Sequence, residues 1–351
     1  MTSTSVRLSI LDLASLHREQ HLSDIYADSV ALARRAEELG YQRVWYGEHH
    51  NIPGMASSSI SVIIAHVGAK TSTIRLGSGG VMLPNYAPLT VAEQFGTLDA
   101  MYPGRIDLGL GRAPGGDQQA MEALRRGRPS ADTYPDDVAE LRGYLSGHSR
   151  IPGVDAVPGN GLNVPLYILG SSTFGARLAA SLGLPFAFAS HFAPDALKAA
   201  VSAYRQEFQP SEQLGRPYVM AGLNVMVADT HQAASAQLQA LRRRRAGYFF
   251  GKQLDGRGLG ADREIEDDEV DRLLATDVAA GQVDRMLTYA AVGTPGEVHD
   301  YLDGFARSIG ADELITEHHA PTIKERLRSI TLLAEAIQPA TPDRAHPAVN
   351  A

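Results

Sequence analysis

Short apolar runs alternate with amphipathic segments along most of the chain. The first run, VRLSILDL, is followed by a segment whose apolar residues, from Ile25 to Leu39, recur at helical spacing. This segment ends at Gly40, as expected because glycine accepts the backbone conformation that closes a helix. A second β-rich run, RVWYGEH, comes next, and the same order then repeats. The pattern predicts parallel βα units.

The repeat gives eight predicted strands. They are VRLSILDL, RVWYGEH, IRLGSGGVML, RIDLGLGR, PLYILGSS, PFAFAS, YVMAGLNVMVA and DELITE. Eight parallel strands close a (β/α)8 TIM barrel, and the absence of a composition break favours this fold, with insertions, over an open doubly wound sheet. We therefore predict one barrel domain over residues 1–340. Residues 251–269 are predicted to form a mobile insertion, either a surface loop or an active-site lid, and residues 341–351 a flexible C-terminal tail.

Charge and composition exclude several classes of protein. The net charge of −8 argues against sequence-independent binding of nucleic acid, which requires a clustered positive surface. The basic run from Arg242 to Arg245 is interpreted as a solvated helix face. The chain has no cysteine, which excludes disulfides and thiolate nucleophiles. We expect a soluble, cytoplasmic protein, because no stretch approaches the roughly 20 apolar residues of a membrane span.

Polar residues and glycines follow the predicted strands, and in a barrel the strand C-termini meet at one mouth. These residues are Asp12, Glu48, His49, His50, Gly79, Gly80, Arg112, Ser171, Ser172, His191, Asn224, His318 and His319. No metal site is predicted, because the first strand offers no histidine and the adjacent His49 and His50 point to opposite sides of an extended chain. His50 is interpreted as structural.

Two segments indicate where a ligand could bind. In YILGSSTFGARLAA, small and hydroxyl residues open a helix after a buried strand, and such a helix start suits a phosphate. Arg112 is the natural cationic partner if the fourth and fifth strands are neighbours. The Gly79–Gly80 pair at a strand end implies either a bulge or a flat ligand pressed against the backbone.

The segments AEELGYQRVWYGEHH, IRLGSGGVMLPNYAPLTVAEQFGTLDAMYPGRIDLGLGRAPG, LYILGSSTFGARLAASLGLPFAFAS and VGTPGEV together resemble the bacterial luciferase-like flavin-dependent oxidoreductases, in their single-chain branch. The resemblance implies a (β/α)8 barrel that binds FMN, taken up as FMNH2, at the strand C-termini. It implies that His49 is catalytic, with the carboxylate of Glu48 beside it as a second catalytic residue, and that the Gly79–Gly80 peptide is cis and faces the flavin ring. The implied FMN contacts are Gly79, Gly80, Arg112, Ser171, Ser172 and Gly175.

The resemblance also implies an activity, an FMNH2- and O2-dependent monooxygenase acting on paired donors and a small organic substrate. A separate NAD(P)H:flavin reductase would supply the flavin, and a homodimer is expected. Two alternatives stay open, a deazaflavin-dependent hydride-transfer oxidoreductase and a non-catalytic flavin-binding subunit. The substrate pocket is predicted to be lined by Asp12, His191, Asn224 and His318.

Overall fold

A computed structural model of the chain describes residues 6–16, 20–52, 54–124, 132–255 and 267–337. Most of the insertion predicted at residues 251–269 lies outside the described residues, and the tail predicted at residues 341–351 lies wholly outside them. Among the helices described, none is long and apolar enough to cross a bilayer.

The strands are short and largely buried. They are β1 Arg7–Asp12, β2 Arg43–Tyr46, β3 Arg75–Met82, β4 Ile106–Gly111, β5 Leu166–Gly170, β6 Phe186–Phe188, β7 Val219–Val227, β8 Ala290–Gly293 and β9 Glu313–His318. The helices are α1 Leu22–Glu38, α2 Ile60–Gly68, α3 Pro88–Met101, α4 Gln118–Ala123, α5 Tyr134–Ser146, α6 Thr173–Leu182, α7 Leu197–Glu207, α8 His231–Asp255, α9 Asp267–Leu274, α10 Asp277–Met286, α11 Pro295–Ile309 and α12 Ile323–Ile337.

Eight of these strands close a parallel barrel with helices between them. Strands β1 to β7 are neighbours in chain order, and β9 pairs with both β7 and β1 to complete the circle. Closure leaves none of the eight strands at an open edge. The predicted (β/α)8 barrel is confirmed, and its eight strands are the ones that the apolar runs indicated.

The short strand β8 lies outside the barrel circle and was missed from the sequence. It pairs with β7 alone, along the stretch Asn224–Val227. Its sequence, AAVG, contains a single β-branched residue, so its strand propensity is weak. Helix α10, which precedes it, was missed as well. Together with α8 and α9, this part of the chain forms a separate small apolar cluster around Met226.

The barrel interior is apolar in its middle layer and ionic at its floor, where the strands begin. The apolar layer consists of Leu11, Trp45, Tyr167, Ala187, Met220 and Ile315. At the floor, the Arg43 guanidinium donates to Asp107 at 2.7 Å and to Glu313 at 2.9 Å. Both carboxylates are fully buried, so the floor ties β2, β4 and β9 together through paired charges.

Candidate active site

The Gly79–Gly80 pair lies near the end of β3, where the backbone carries no side chain. The peptide between the two glycines is cis, and the pairing of β3 with β4 shifts register between Ser78 and Val81. The predicted bulge is therefore present. A Cβ added to Gly80 would lie only 2.8 Å from the carbonyl oxygen of Gly109, so the strands approach too closely here for a side chain.

Glu48 joins the end of β2 to the turn after β3. Its Oε1 lies 2.8 Å from His50 Nε2 and accepts from Asn85 Nδ2 at 3.2 Å. Its Oε2 accepts from the backbone N–H of Met82, also at 3.2 Å. A fully buried carboxylate with three partners holds the local backbone in place. Glu48 is therefore better placed to hold the segments after β2 and β3 in position than to transfer a proton directly.

His49 has a nitrogen that no neighbour uses. Among the described residues, no group forms a hydrogen bond with its buried Nδ1. Burial lowers the pKa of His49 below its ordinary value, and a hydrogen bond to the Gly47 backbone and the charge of Glu317 offset only part of that effect. The imidazole is therefore neutral at pH 7, with one ring nitrogen open to a ligand.

Asp12 and His318 do not line the mouth, although they end β1 and β9. Asp12 accepts from Ser29 of α1 at 2.7 Å and from Arg326 of α12 at 2.8 Å. His318 Nδ1 lies 2.8 Å from Ser329 Oγ of α12, and burial lowers the pKa of His318 to about 3. Alternate residues of a strand face opposite sides, and these two face the helices. Their prediction as pocket residues is therefore corrected.

His191 and Asn224, by contrast, come together at the mouth. Asn224 Nδ2 donates to the backbone carbonyl of His191 at 2.7 Å, and Asn224 Oδ1 accepts from Arg245 at 2.8 Å. The His191 ring packs on Gly222, and its buried Nδ1 has no hydrogen-bond partner among the described residues. Burial lowers the pKa of His191 to about 4, so it is a second neutral imidazole.

His319 and Glu317 extend this polar network. His319 Nε2 lies 2.9 Å from Asn224 Oδ1 and 3.5 Å from Glu317 Oε2, and Arg244 donates to His319 Nδ1 at 2.7 Å. An arginine can only donate, so Nδ1 is the acceptor and the ring proton is on Nε2. Burial lowers the pKa of His319 to about 4, in agreement with a neutral ring.

Glu317 stays ionised inside this network. Burial alone would raise its pKa, but its contact with His319 and the charges near it, including Arg245, hold the pKa well below the usual range. It faces the barrel interior, one position before the outward-facing His318. Strand alternation alone could have identified it, yet sequence reasoning passed over it.

The arginines of α8 were also misjudged. Arg243 pairs with Asp271 on an exposed face, as the solvated-face interpretation expects. Arg245 instead directs its guanidinium into the network around Asn224. The sequence gives no local sign of this, because the partners of Arg244 and Arg245 lie on distant strands.

Arg112 and the start of α6 form a cradle for an anion. Strands β4 and β5 are neighbours, as the prediction required. The Arg112 guanidinium lies over the Phe174 ring, 4.2 Å from its centroid, which places it beside the first turn of α6. The N-cap residue, Ser172, uses no side-chain hydrogen bond to cap the helix, and Ser171 is exposed. These hydroxyls and first-turn N–H groups remain available to a phosphate.

The residues of the mouth therefore fit a phosphorylated flavin or deazaflavin in three respects. The cradle at Arg112 and α6 provides charge and donors for a phosphate. The Gly79–Gly80 segment carries no side chain, and Gly79 is only half-buried, so a ring could approach this backbone. The open nitrogens of His49 and His191 provide buried polar atoms that still need a partner, and such atoms usually face a ligand or water.

Comparison with known proteins shows which proteins this chain resembles. A family model described as luciferase-like monooxygenase matches residues 6–313. A protein of Escherichia coli strain K12 named luciferase-like monooxygenase is 42% identical over 333 residues, covering 95% of this chain and 97% of its own length. The N-acetyl-S-alkylcysteine monooxygenase of Bacillus subtilis is 38% identical over 222 residues, which is 59% of this chain and 64% of that protein.

One solved structure is similar to this chain in both fold and sequence. The crystal structure of apo-MsnO8 superposes with a TM-score of 0.81 at 35% identity, covering 95% of this chain and 97% of that one. The similarity spans the whole barrel.

Proposed function

The chain belongs to the luciferase-like monooxygenase family, and from this premise we propose that it is a monooxygenase that uses FMNH2 and O2 to oxygenate a small organic substrate. The observation that carries the proposal is the presence, in one barrel, of a phosphate cradle at Arg112 and a neutral His49 with an open nitrogen. The flavin, when bound, supplies the electrons for oxygen chemistry. A separate NAD(P)H:flavin reductase would deliver it.

Each residue of the mouth has a role in this proposal. Arg112, Ser171 and Ser172 hold the phosphate, because they combine a fixed guanidinium with free hydroxyls at a helix start. The Gly79–Gly80 backbone borders the ring system. His49 holds or moves a proton at its Nδ1, and Glu48 keeps the segment that carries His49 anchored to the turn after β3.

For the substrate, we propose a thioether as the first class to test. The relative from Bacillus subtilis is named for N-acetyl-S-alkylcysteines, which combine a thioether sulfur with a carboxylate. A set of N-acetyl-S-alkylcysteines with alkyl groups from methyl to benzyl gives graded apolar size. We refer to it as the thioether series.

The proposal is tested by anaerobic titration of the protein with FMNH2 and, separately, with a reduced deazaflavin. The FMNH2 complex is then mixed with isotopically labelled O2 and the thioether series. Tight binding of FMNH2 and label in an oxygenated product would support the proposal. Binding of the deazaflavin alone would indicate hydride transfer instead, and binding of FMNH2 without any reaction with O2 would indicate a non-catalytic flavin-binding subunit.

Arg112→Met should weaken FMNH2 binding about 10- to 100-fold, because a charge-assisted bond to phosphate contributes roughly 1.5–3 kcal/mol. Anaerobic fluorescence titration measures the change. Arg177→Met is the matched control, since Arg177 lies on α6 but pairs with Glu207 in an exposed salt bridge at 3.1 Å. Equal affinities for the Arg112 variant and the wild type would contradict the phosphate assignment.

A further inference from the structure

Arg244 presents an open guanidinium at the mouth of the barrel. The residue is exposed as a whole, its terminal N–H group donates to His319 Nδ1 at 2.7 Å, and burial lowers the pKa of the guanidinium, so the charged group lies inside the mouth. Within the described part of the chain it forms no salt bridge. Its neighbours differ, because Arg243 makes two bonds of 2.7 Å to Asp271 and Arg245 donates to Asn224. Arg244 therefore keeps donors for a group that is not part of the protein.

The position of this guanidinium is fixed by a buried scaffold. His319, which accepts from Arg244, is 6% exposed and is itself bonded to the fully buried Asn224. The bonds from Arg244 to His319 and from His319 to Asn224 connect α8 to the ends of β9 and β7. A cation held in this way loses little conformational freedom when it binds a ligand.

The charges around Arg244 leave a positive excess. Arg244 and Arg245 face a single carboxylate, Glu317. The nearby His191 and His319 are neutral, because burial lowers their pKa values to about 4. Arg326, whose charge also reaches Arg244, is balanced by its own salt bridge to Asp12 at 2.8 Å. One positive charge at the mouth thus lacks a counter-ion among these groups, which favours an anionic ligand.

Aromatic side chains flank the neighbouring Arg245, which donates to the carbonyl of His191, the residue before Phe192, at 3.1 Å. Phe249, one helical turn beyond Arg245 on α8, stacks on Phe192 with 6.2 Å between ring centroids. Phe192 follows β6 and is 48% exposed. An aromatic pair with one exposed ring, on the same helix as a fixed cation, is suited to a molecule with an apolar part and an anionic end.

We propose that Arg244 binds a carboxylate of the substrate and that Phe192 and Phe249 contact its apolar part. This inference rests on the proposed function and narrows its substrate class to organic anions. Arg244 then acts as a specificity-determining residue, and His319 as the residue that positions it.

The test measures binding, independently of turnover. The protein is loaded with FMNH2 under anaerobic conditions and titrated calorimetrically with the thioether series and with the matching carboxamides, which lack the charge. The wild type should prefer the carboxylates by about 10- to 100-fold, as expected for a charge-assisted bond. Arg244→Met should abolish the preference. Arg243→Met, which removes the same charge from the adjacent residue of α8, should retain it.

Three results would overturn the inference. They are equal binding of carboxylates and carboxamides by the wild type, an undiminished preference in Arg244→Met, and failure of every carboxylate in the series to bind. Failure of the proposed function gives a different result. In that case carboxylates would bind through Arg244, but no oxygenated product would form with O2.

Discussion

His49→Ala should lower the yield of oxygenated product per O2 consumed by about 100-fold or more, the range that a positioned acid–base group supplies. The FMNH2 affinity should change little, because the phosphate cradle at Arg112 does not involve β2. The reason for the loss is the open Nδ1 of a neutral, largely buried imidazole. Without it, protons would reach the reacting oxygen from water, and O2 reduced by the two electrons of FMNH2 would leave as hydrogen peroxide. Parallel assays of O2 consumption, hydrogen peroxide and product measure the effect.

The neighbouring His50 provides the control for this experiment. His50 Nε2 lies 2.8 Å from Glu48 Oε1, so His50→Gln removes an imidazole whose bond serves the backbone. It should leave the yield within a few-fold of the wild type. An unchanged yield in His49→Ala would remove His49 from the mechanism.

The pH dependence gives a second readout for His49. Burial depresses the pKa of His49, so the wild-type yield should be constant above pH 6.5 and fall only as the ring becomes protonated below that value. That fall should be absent in His49→Ala.

The barrel could be predicted from the sequence because its signals are local. Each strand is a short apolar run bounded by turn residues, and the eight runs found this way are the eight strands of the circle. Strand β8 escaped because four small residues have little periodicity, and its pairing with β7 depends on the tertiary structure. Local patterns therefore predicted the eight barrel strands, but not strand β8, which pairs with β7 outside the barrel.

The site was predictable only in part, because strand ends indicate nearness to the mouth and not the direction of a side chain. His191 and Asn224 meet there, whereas Asp12 and His318 bond to the helices. If the alternation of side chains along β9 had been applied, the prediction would have named Glu317 as the residue facing the interior, in place of His318.

The contacts of Arg244 and Arg245 could not be predicted from local sequence patterns. Their partners, His319 and Asn224, come from distant strands, and no short-range pattern connects them to α8. From the sequence alone, a run of four arginines on a helix predicts a polar surface. Only the tertiary structure shows which of the four contact the barrel.

Arg43→Met should be the most destabilising of the substitutions considered, lowering the free energy of unfolding by about 3–5 kcal/mol. The variant leaves Glu313 buried at the barrel floor without the guanidinium that pairs with it at 2.9 Å, and it removes one of the two arginines that bond the buried Asp107, which keeps its salt bridge to Arg75. An unpaired carboxylate in a low-dielectric interior is costly, and methionine fills much of the volume of arginine, so the loss reports charge more than packing. Urea denaturation followed by circular dichroism measures it.

The matched control for the barrel floor is Arg205→Met. Arg205 pairs with Asp312, the residue that precedes Glu313, at 3.1 Å, but both side chains are about one-third exposed. Solvent screens such a pair, so its loss should cost no more than about 1 kcal/mol. If Arg43→Met were as mild as this control, the buried carboxylates would have to be neutral or hydrated in the folded protein. The floor would then stabilise the barrel by packing alone, and Arg43→Met combined with Glu313→Gln would be no more stable than Arg43→Met.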